Sequence, residues 1–183
     1  MKGWYRTAAA FALSATVISA NCCMARAQSE PLELAIKATY LYKFTSFVDW
    51  PADTFTSPTA PIALCVVGND AMSELLMRAV QGQKSDSHSF AVRRTDAASS
   101  AGCNIMFVAG SSAEAIRQSL AAVHGKPVLT VTDEAPEGAK GIINFLVADN
   151  RVRFEIDNEA ASQNKLVISS KLLSLAVRVQ PKS

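Results

Sequence analysis

GIINFLVADNRVRFEID, residues 141–157, decides how this chain folds. Two β-patterned runs flank a turn signal. Ile142, Ile143, Phe145, Leu146 and Val147 precede it, and Val152, Phe154 and Ile156 follow in strict alternation with Arg151, Arg153, Glu155 and Asp157. Asp149 and Asn150 tolerate positive φ, so the stretch reads as a β-hairpin. The alternation gives the second strand one apolar face and one charged face. Behind it, LVISSKLLSLAVRV (residues 166–179) reads as a strand and a closing helix, so the sheet is completed in the last quarter of the chain.

Upstream, residues 30–50 read as one helix stopped at Trp50-Pro51, because a residue before proline is pushed out of the α region. At 100° per residue Ile36, Tyr40, Leu41, Phe44, Phe47 and Val48 fall within one arc of about 140°. Tyr40, Phe44 and Phe47 are therefore expected to pack on the sheet. Lys37 lies inside that apolar arc, and two readings stand. Its stem snorkels, with Glu33 as an i,i+4 partner, or it is held against a carboxylate from the sheet.

Residues 53–61 form a Pro-, Ser- and Thr-rich loop. IALCVV (62–67) and CNIMFVA (103–109) are short apolar runs typical of strands buried on both faces. Phe90 and Val92 mark another strand, and PVLTV (127–131) another. Asn69-Asp70 caps a helix over 71–80. Residues 97–102 read as a loop. Ser111-Ser112-Ala113-Glu114 reads as a capping box for a helix to Val123. Asp157 or Asn158 caps a helix over 159–163 with Asn164 at its αL end, and Ser169 or Ser170 caps the last helix. The order strand, helix, strand, strand, helix, strand predicts an α/β fold. Its sheet is mostly parallel and Rossmann-like, flanked by helices, with an antiparallel C-terminal hairpin.

The first residues are a targeting segment. Lys2 and Arg6 precede an apolar run over 8–20, and Ala25-Arg26-Ala27 offers small residues where signal peptidase reads, so residues 1–27 are expected to be cleaved after Ala27. The run is too short to span a bilayer comfortably. Residues 28–183 then form one domain, long enough to bury a sizeable core. Cleavage removes three basic residues and no acids from a chain of formal charge +2, leaving −1. A near-neutral protein gives no electrostatic case for nucleic acid. Of the four cysteines, Cys65 and Cys103 remain. An even pair in an oxidising compartment reads as a disulfide, with two buried free thiols as the alternative.

Catalytic signals are weak. His88 and His124 are the only histidines, too few with Cys65 and Cys103 for a zinc site. Gly110-Ser111-Ser112 follows a strand and opens a helix but lacks the second glycine of a nucleophile elbow. Ser169-Ser170-Lys171 has the wrong spacing for a serine acyl-transferase. Gly68-Asn69-Asp70 offers a place where an anion could dock, but no G-x-G-x-x-G accompanies it. Asp49, Asp133 and Glu155 are acids that nothing in the sequence pairs. The reading is a protein that is not an enzyme and takes no cofactor or metal.

GIINF, NRVRFEID and LVISSKLLSLA, with IKATYLYKFTSFVDWP at the front, together resemble the YfiR-like family of periplasmic proteins over roughly residues 35–176. The resemblance implies a regulator that binds the periplasmic domain of an inner-membrane diguanylate cyclase or another sensor protein. By repressing it, the regulator would lower cyclic di-GMP and biofilm formation. It also implies a homodimer without membrane insertion, and a bridge at the positions that match Cys65 and Cys103. The family can carry a second, later bridge, and no cysteine follows Cys103 here. The outer side of the hairpin, around Phe145, Arg153, Phe154, Glu155 and Ile156, is the expected partner surface, and the resemblance also places partner contact in this final third. If Phe154 and Ile156 are core, the charged face looks outward. Glu155→Lys is then expected to change stability by no more than about 0.5 kcal/mol. Alternatively, Arg153 and Glu155 are an ordinary solvated face. The other class of function is a periplasmic small-ligand-binding module serving a sensor kinase or transporter, with its crevice at the carboxyl ends of the strands.

Overall fold

The computed structural model describes residues 21–96 and 101–182, with side chains from residue 32 onward. The targeting residues 1–20 and residues 97–100 of the predicted loop lie outside them. The chain opens with α1 (Asn21–Lys43), a 3-10 turn (Phe44–Phe47) and a short strand β1 (Val48–Asp49). The expected cleavage point after Ala27 falls within α1. There follow β2 (Ile62–Val67), α2 (Asp70–Ala79), β3 (Phe90–Arg94), β4 (Ile105–Val108), α3 (Ala113–Ala121) and β5 (Leu129–Asp133). The hairpin β6 (Ile143–Ala148) and β7 (Arg151–Asp157) leads to α4 (Asn158–Gln163), β8 (Val167–Ile168), α5 (Ser170–Leu175) and β9 (Arg178–Gln180).

Seven strands form one sheet in the order β3-β2-β4-β5-β6-β7-β9. The first five are parallel, and β7 runs antiparallel to β6 with Phe145 opposite Phe154. Asp149 and Asn150 turn the hairpin at φ 51° and 56°, the primed geometry that suits strand twist. One sheet face carries Leu64, Val66, Ile105, Phe107, Val131, Phe145, Phe154 and Ile156. It packs with residues of α1, α2 and the α4–β8–α5 segment into the main core. The opposite face carries Cys65, Met106 and Val108 beneath Ile116 of α3. Helices thus cover both faces, as an α/β sheet requires. Cys65 and Cys103 are joined beneath α3 with Cα atoms 5.8 Å apart.

The structure departs from the sequence reading in several places. The opening helix ends at Lys43, not Trp50. Thr45 Oγ1 donates to the Tyr42 carbonyl at 2.6 Å, which tightens the last turn into a 3-10 turn and releases Val48 to pair with Ile168. Ile36, placed in the buried arc, is 39% exposed, because the sheet stops short of it. Lys165, not Asn164, takes the αL position after α4, at φ 60°. The α3 cap is Ser112 alone, since Glu114 binds Arg117 and Gln118 instead of returning to the cap. The final segment adds a strand the pattern did not show: β8 leaves the main sheet to pair with β1, while β9 joins it beside β7.

Phe44 is buried against Phe145 and Phe154, with ring centroids 5.8 and 5.3 Å away, and Tyr40 stacks on it at 5.9 Å. Phe47 is half-buried at the core margin. Truncating Phe44 to Ala is expected to cost about 3–5 kcal/mol, and Phe47→Ala less. Urea unfolding measures both. An unchanged midpoint for Phe44→Ala would overturn this packing assignment.

Candidate functional site

Two charged clusters are built from residues far apart in sequence. In the first, Lys37 is 2% exposed. Its Nζ donates to Asp133 Oδ1 at 2.5 Å and also to Glu33. The reading that sets Lys37 against a sheet carboxylate holds, with Asp133 at the end of β5; Glu33 one turn back is its second partner, but the ammonium is buried and does not snorkel to solvent. Burial works against the ammonium, but hydrogen bonds to Asp133 and Glu33 outweigh it and raise its pKa. Burial raises Asp133 as well, and the Glu134 and Glu33 charges add to this against the pull of Lys37. The two carboxylates outweigh burial at Lys37, whereas burial outweighs the one shared cation at Asp133.

The second cluster is a polar ladder across β5, β6, β7 and β9, on the part of the α3-bearing sheet face that the helix does not reach. Parallel strands β5 and β6 are joined without a helix, and residues 134–141 fold over the sheet there. Gly141 allows it, because a Cβ would lie 2.8 Å from the Thr130 carbonyl oxygen. The hydroxyls of Thr132 and Thr130 accept from Gly141 N and Ile142 N at 3.0 Å each. Buried Asn144 is the node. Its Oδ1 accepts from the Thr132 hydroxyl at 2.8 Å and from Ala135 N at 3.1 Å. Its Nδ2 donates to Glu155 Oε1 at 3.0 Å. Glu155 also pairs with Lys140 at 2.7 Å and, more loosely, with Arg178 at 3.7 Å. Burial disfavours the Glu155 carboxylate, yet hydrogen bonds from Lys140 and Asn144 outweigh that and hold its pKa below the ordinary 4.5. A polar cleft of about 340 Å³ opens over this ladder, with Asp157 and Gln180 at its margin.

The residues expected at a partner surface are thus divided. Phe145, Phe154 and Ile156 are core. Strand alternation turns them toward α1, which corrects their expected place at a contact surface. Arg153 keeps partial exposure, but the Glu155 side chain is only 13% exposed. The expected tolerance of Glu155→Lys is overturned with it, because a lysine there would face Lys140 and Arg178. Asn144 was missed as a site residue, although an asparagine inside an apolar strand run is itself a signal of a buried polar node. Lys140 and Arg178 were missed because only the 134–141 fold-over and β9 bring them to Glu155.

Elsewhere, Asn69 and Ser112 cap α2 and α3 through Met72 N and Ala115 N. At the carboxyl ends of β2 and β4 the Gly68 backbone lies against the Ala109 carbonyl, where a Cβ would come within 2.0 Å of the oxygen. Those two loops are in contact at this point. His88 Nδ1 meets the Ala60 carbonyl at 2.6 Å, its ring 4.6 Å from Phe55. Among the described residues no group of three His, Cys, Asp or Glu is placed to hold a metal ion, and no helix is long and apolar enough to cross a membrane.

The YfiR/HmsC-like family model matches residues 34–177, a span that holds Lys37, Asp133, Asn144 and Glu155. No curated protein matches the chain.

Two predictions follow from these clusters. The Glu155 pKa is depressed, so its stabilisation is present above the unfolded value and lost as pH falls through the folded one. Glu155→Gln should therefore lower stability near pH 7, with the difference from wild type closing on acidification. Urea unfolding across pH checks this, and a pH-independent difference would contradict it. Lys37→Met should cost about 1–3 kcal/mol at pH 7.5, less than the 3–5 typical when a fully buried charge is stranded, because both carboxylates retain some water. That cost should shrink toward pH 4. Asp133, already raised, binds a proton more tightly in the folded state, so the variant loses stability as pH rises. A larger loss at low pH would refute the shared-cation account.

Proposed function

The chain belongs to the YfiR/HmsC-like family, and from that premise we propose that it is a periplasmic regulator of a membrane-bound diguanylate cyclase. It binds the cyclase's periplasmic domain, holds the enzyme inactive, and so lowers cyclic di-GMP and biofilm formation. The family match from α1 to the threshold of β9 carries this reading. The Cys65–Cys103 bridge is consistent with an oxidising compartment, and the N-terminal pattern is that of a cleaved signal peptide. The partner contacts the hairpin, with Arg153 at the rim, where arginine is favoured in interfaces. The ladder beneath Glu155 holds that surface rigid. The protein works as a homodimer, which light scattering on the mature chain measures.

Deleting the chain should raise cellular cyclic di-GMP, and restoring it should reverse the rise. The tagged mature chain should retain the cyclase from solubilised membranes. Unchanged cyclic di-GMP together with no retained cyclase would overturn the proposal.

A further inference from the structure

A groove of about 350 Å³ lies between α1 and the β6–β7 hairpin. Its floor is apolar and uncovered: Leu32 is 64% exposed, and Ile36 and Val147 are each 39% exposed. Val152 lines it beside them. These side chains continue the stripe that buries Tyr40 and Phe44 further along α1, past the point where the sheet covers it.

Two further features meet at this groove. The first is an open strand edge. β9 pairs with β7 only from Glu155 to Asp157, and Val177 N donates to the Phe154 carbonyl at 2.9 Å. The backbone groups of Phe154 therefore face outward, and by the two-residue period of a strand so do those of Val152. Among the described residues no strand pairs with β7 there. The second is charge. Arg151 and Arg153 line the groove and enter no ion pair among the described residues, whereas Lys140 and Arg178 on the same sheet face are paired. An exposed edge beside an apolar groove is a template for strand addition.

Resting on the regulator reading above, we infer that this groove receives an extended segment of the cyclase's periplasmic domain. The segment adds as a strand along the open half of β7. Its side chains alternate: apolar ones enter between Ile36 and Val152, and acidic ones on the other face meet Arg151 and Arg153. Alternation is imposed because successive side chains of an added strand point to opposite sheet faces. The guanidinium groups favour carboxylates through forked hydrogen bonds.

Two variants of the mature chain separate the components. Val152→Pro removes the outward N–H while leaving the β6–β7 ladder intact, since proline is tolerated where the N–H faces away from its partner strand. The double substitution R151E/R153E reverses the charge. The probe is the tagged diguanylate cyclase from the same organism, solubilised from membranes and captured on immobilised mature chain. The control is Arg78→Glu on the exposed side of α2. Wild type and control should retain the cyclase. Both test variants should retain at least tenfold less and leave cyclic di-GMP high, with melting temperatures near wild type. If Val152→Pro fails to fold, the charge reversal decides alone. Equal retention by variants and wild type would overturn the inference and leave the regulator reading standing. No retention by wild type would overturn both. A loss of retention accompanied by a fall in oligomer mass would overturn it in favour of an interface between copies.

Discussion

The carboxamide of Asn144 joins four pieces of chain that no helix ties together. β5 and β6 are parallel neighbours, and such neighbours are ordinarily linked by a helix that covers the sheet. Here the link is short, and residues 134–141 lie directly on the sheet. Every backbone group pressed against the strands then needs a partner. Thr130, Thr132 and Asn144 supply partners to Gly141, Ile142 and Ala135, and Glu155 completes the amide. Losing the carboxamide would leave the Thr132 hydroxyl without its acceptor and the Ala135 N–H without its partner, and would take one hydrogen bond from Glu155.

The two faces of the sheet are therefore held by different physics. One is closed by aromatic and aliphatic burial, which is strong and non-directional. The other is closed by α3 over Cys65, Met106 and Val108 and, across β5, β6, β7 and β9, by hydrogen bonds, which are directional. Lys37 brings some of that directionality to the apolar side. A helix resting on Phe145 and Phe154 could slide with little change in buried area. An ammonium fixed to Asp133 at the end of β5 admits one register, and Glu33 one turn away holds the ammonium in place.

Much of the fold was legible wherever pattern is local. Ile62–Val67 and the hairpin were readable because apolar runs and an Asp-Asn turn are short-range signals. The end of α1 was not, because Phe44–Phe47 keeps helical periodicity while its conformation is set by Thr45 and by a pairing with Ile168. β9 was not, because Arg178–Gln180 becomes a strand only by lying against Glu155–Asp157. The same limit applies to the site. Glu33 was a visible partner for Lys37 at helical spacing, and a sheet carboxylate was anticipated without being identified. Glu155 looked exposed because alternation assigns a face but says nothing of what covers that face. Lys140, Asn144 and Arg178 converge on it only in three dimensions.

The small β1–β8 ladder sets when this protein can be finished. Val48 lies opposite Ile168, about 120 residues later, and Ser169 N donates to the Phe47 carbonyl at 2.9 Å. The seat at the end of α1 is thus empty until the last tenth of the chain arrives. Closing so long a loop is entropically slow to initiate, so the parallel strands can assemble first while the junction after α1 stays loose. A chain that crosses a membrane from its N-terminus would leave that junction unfastened until its final residues emerged.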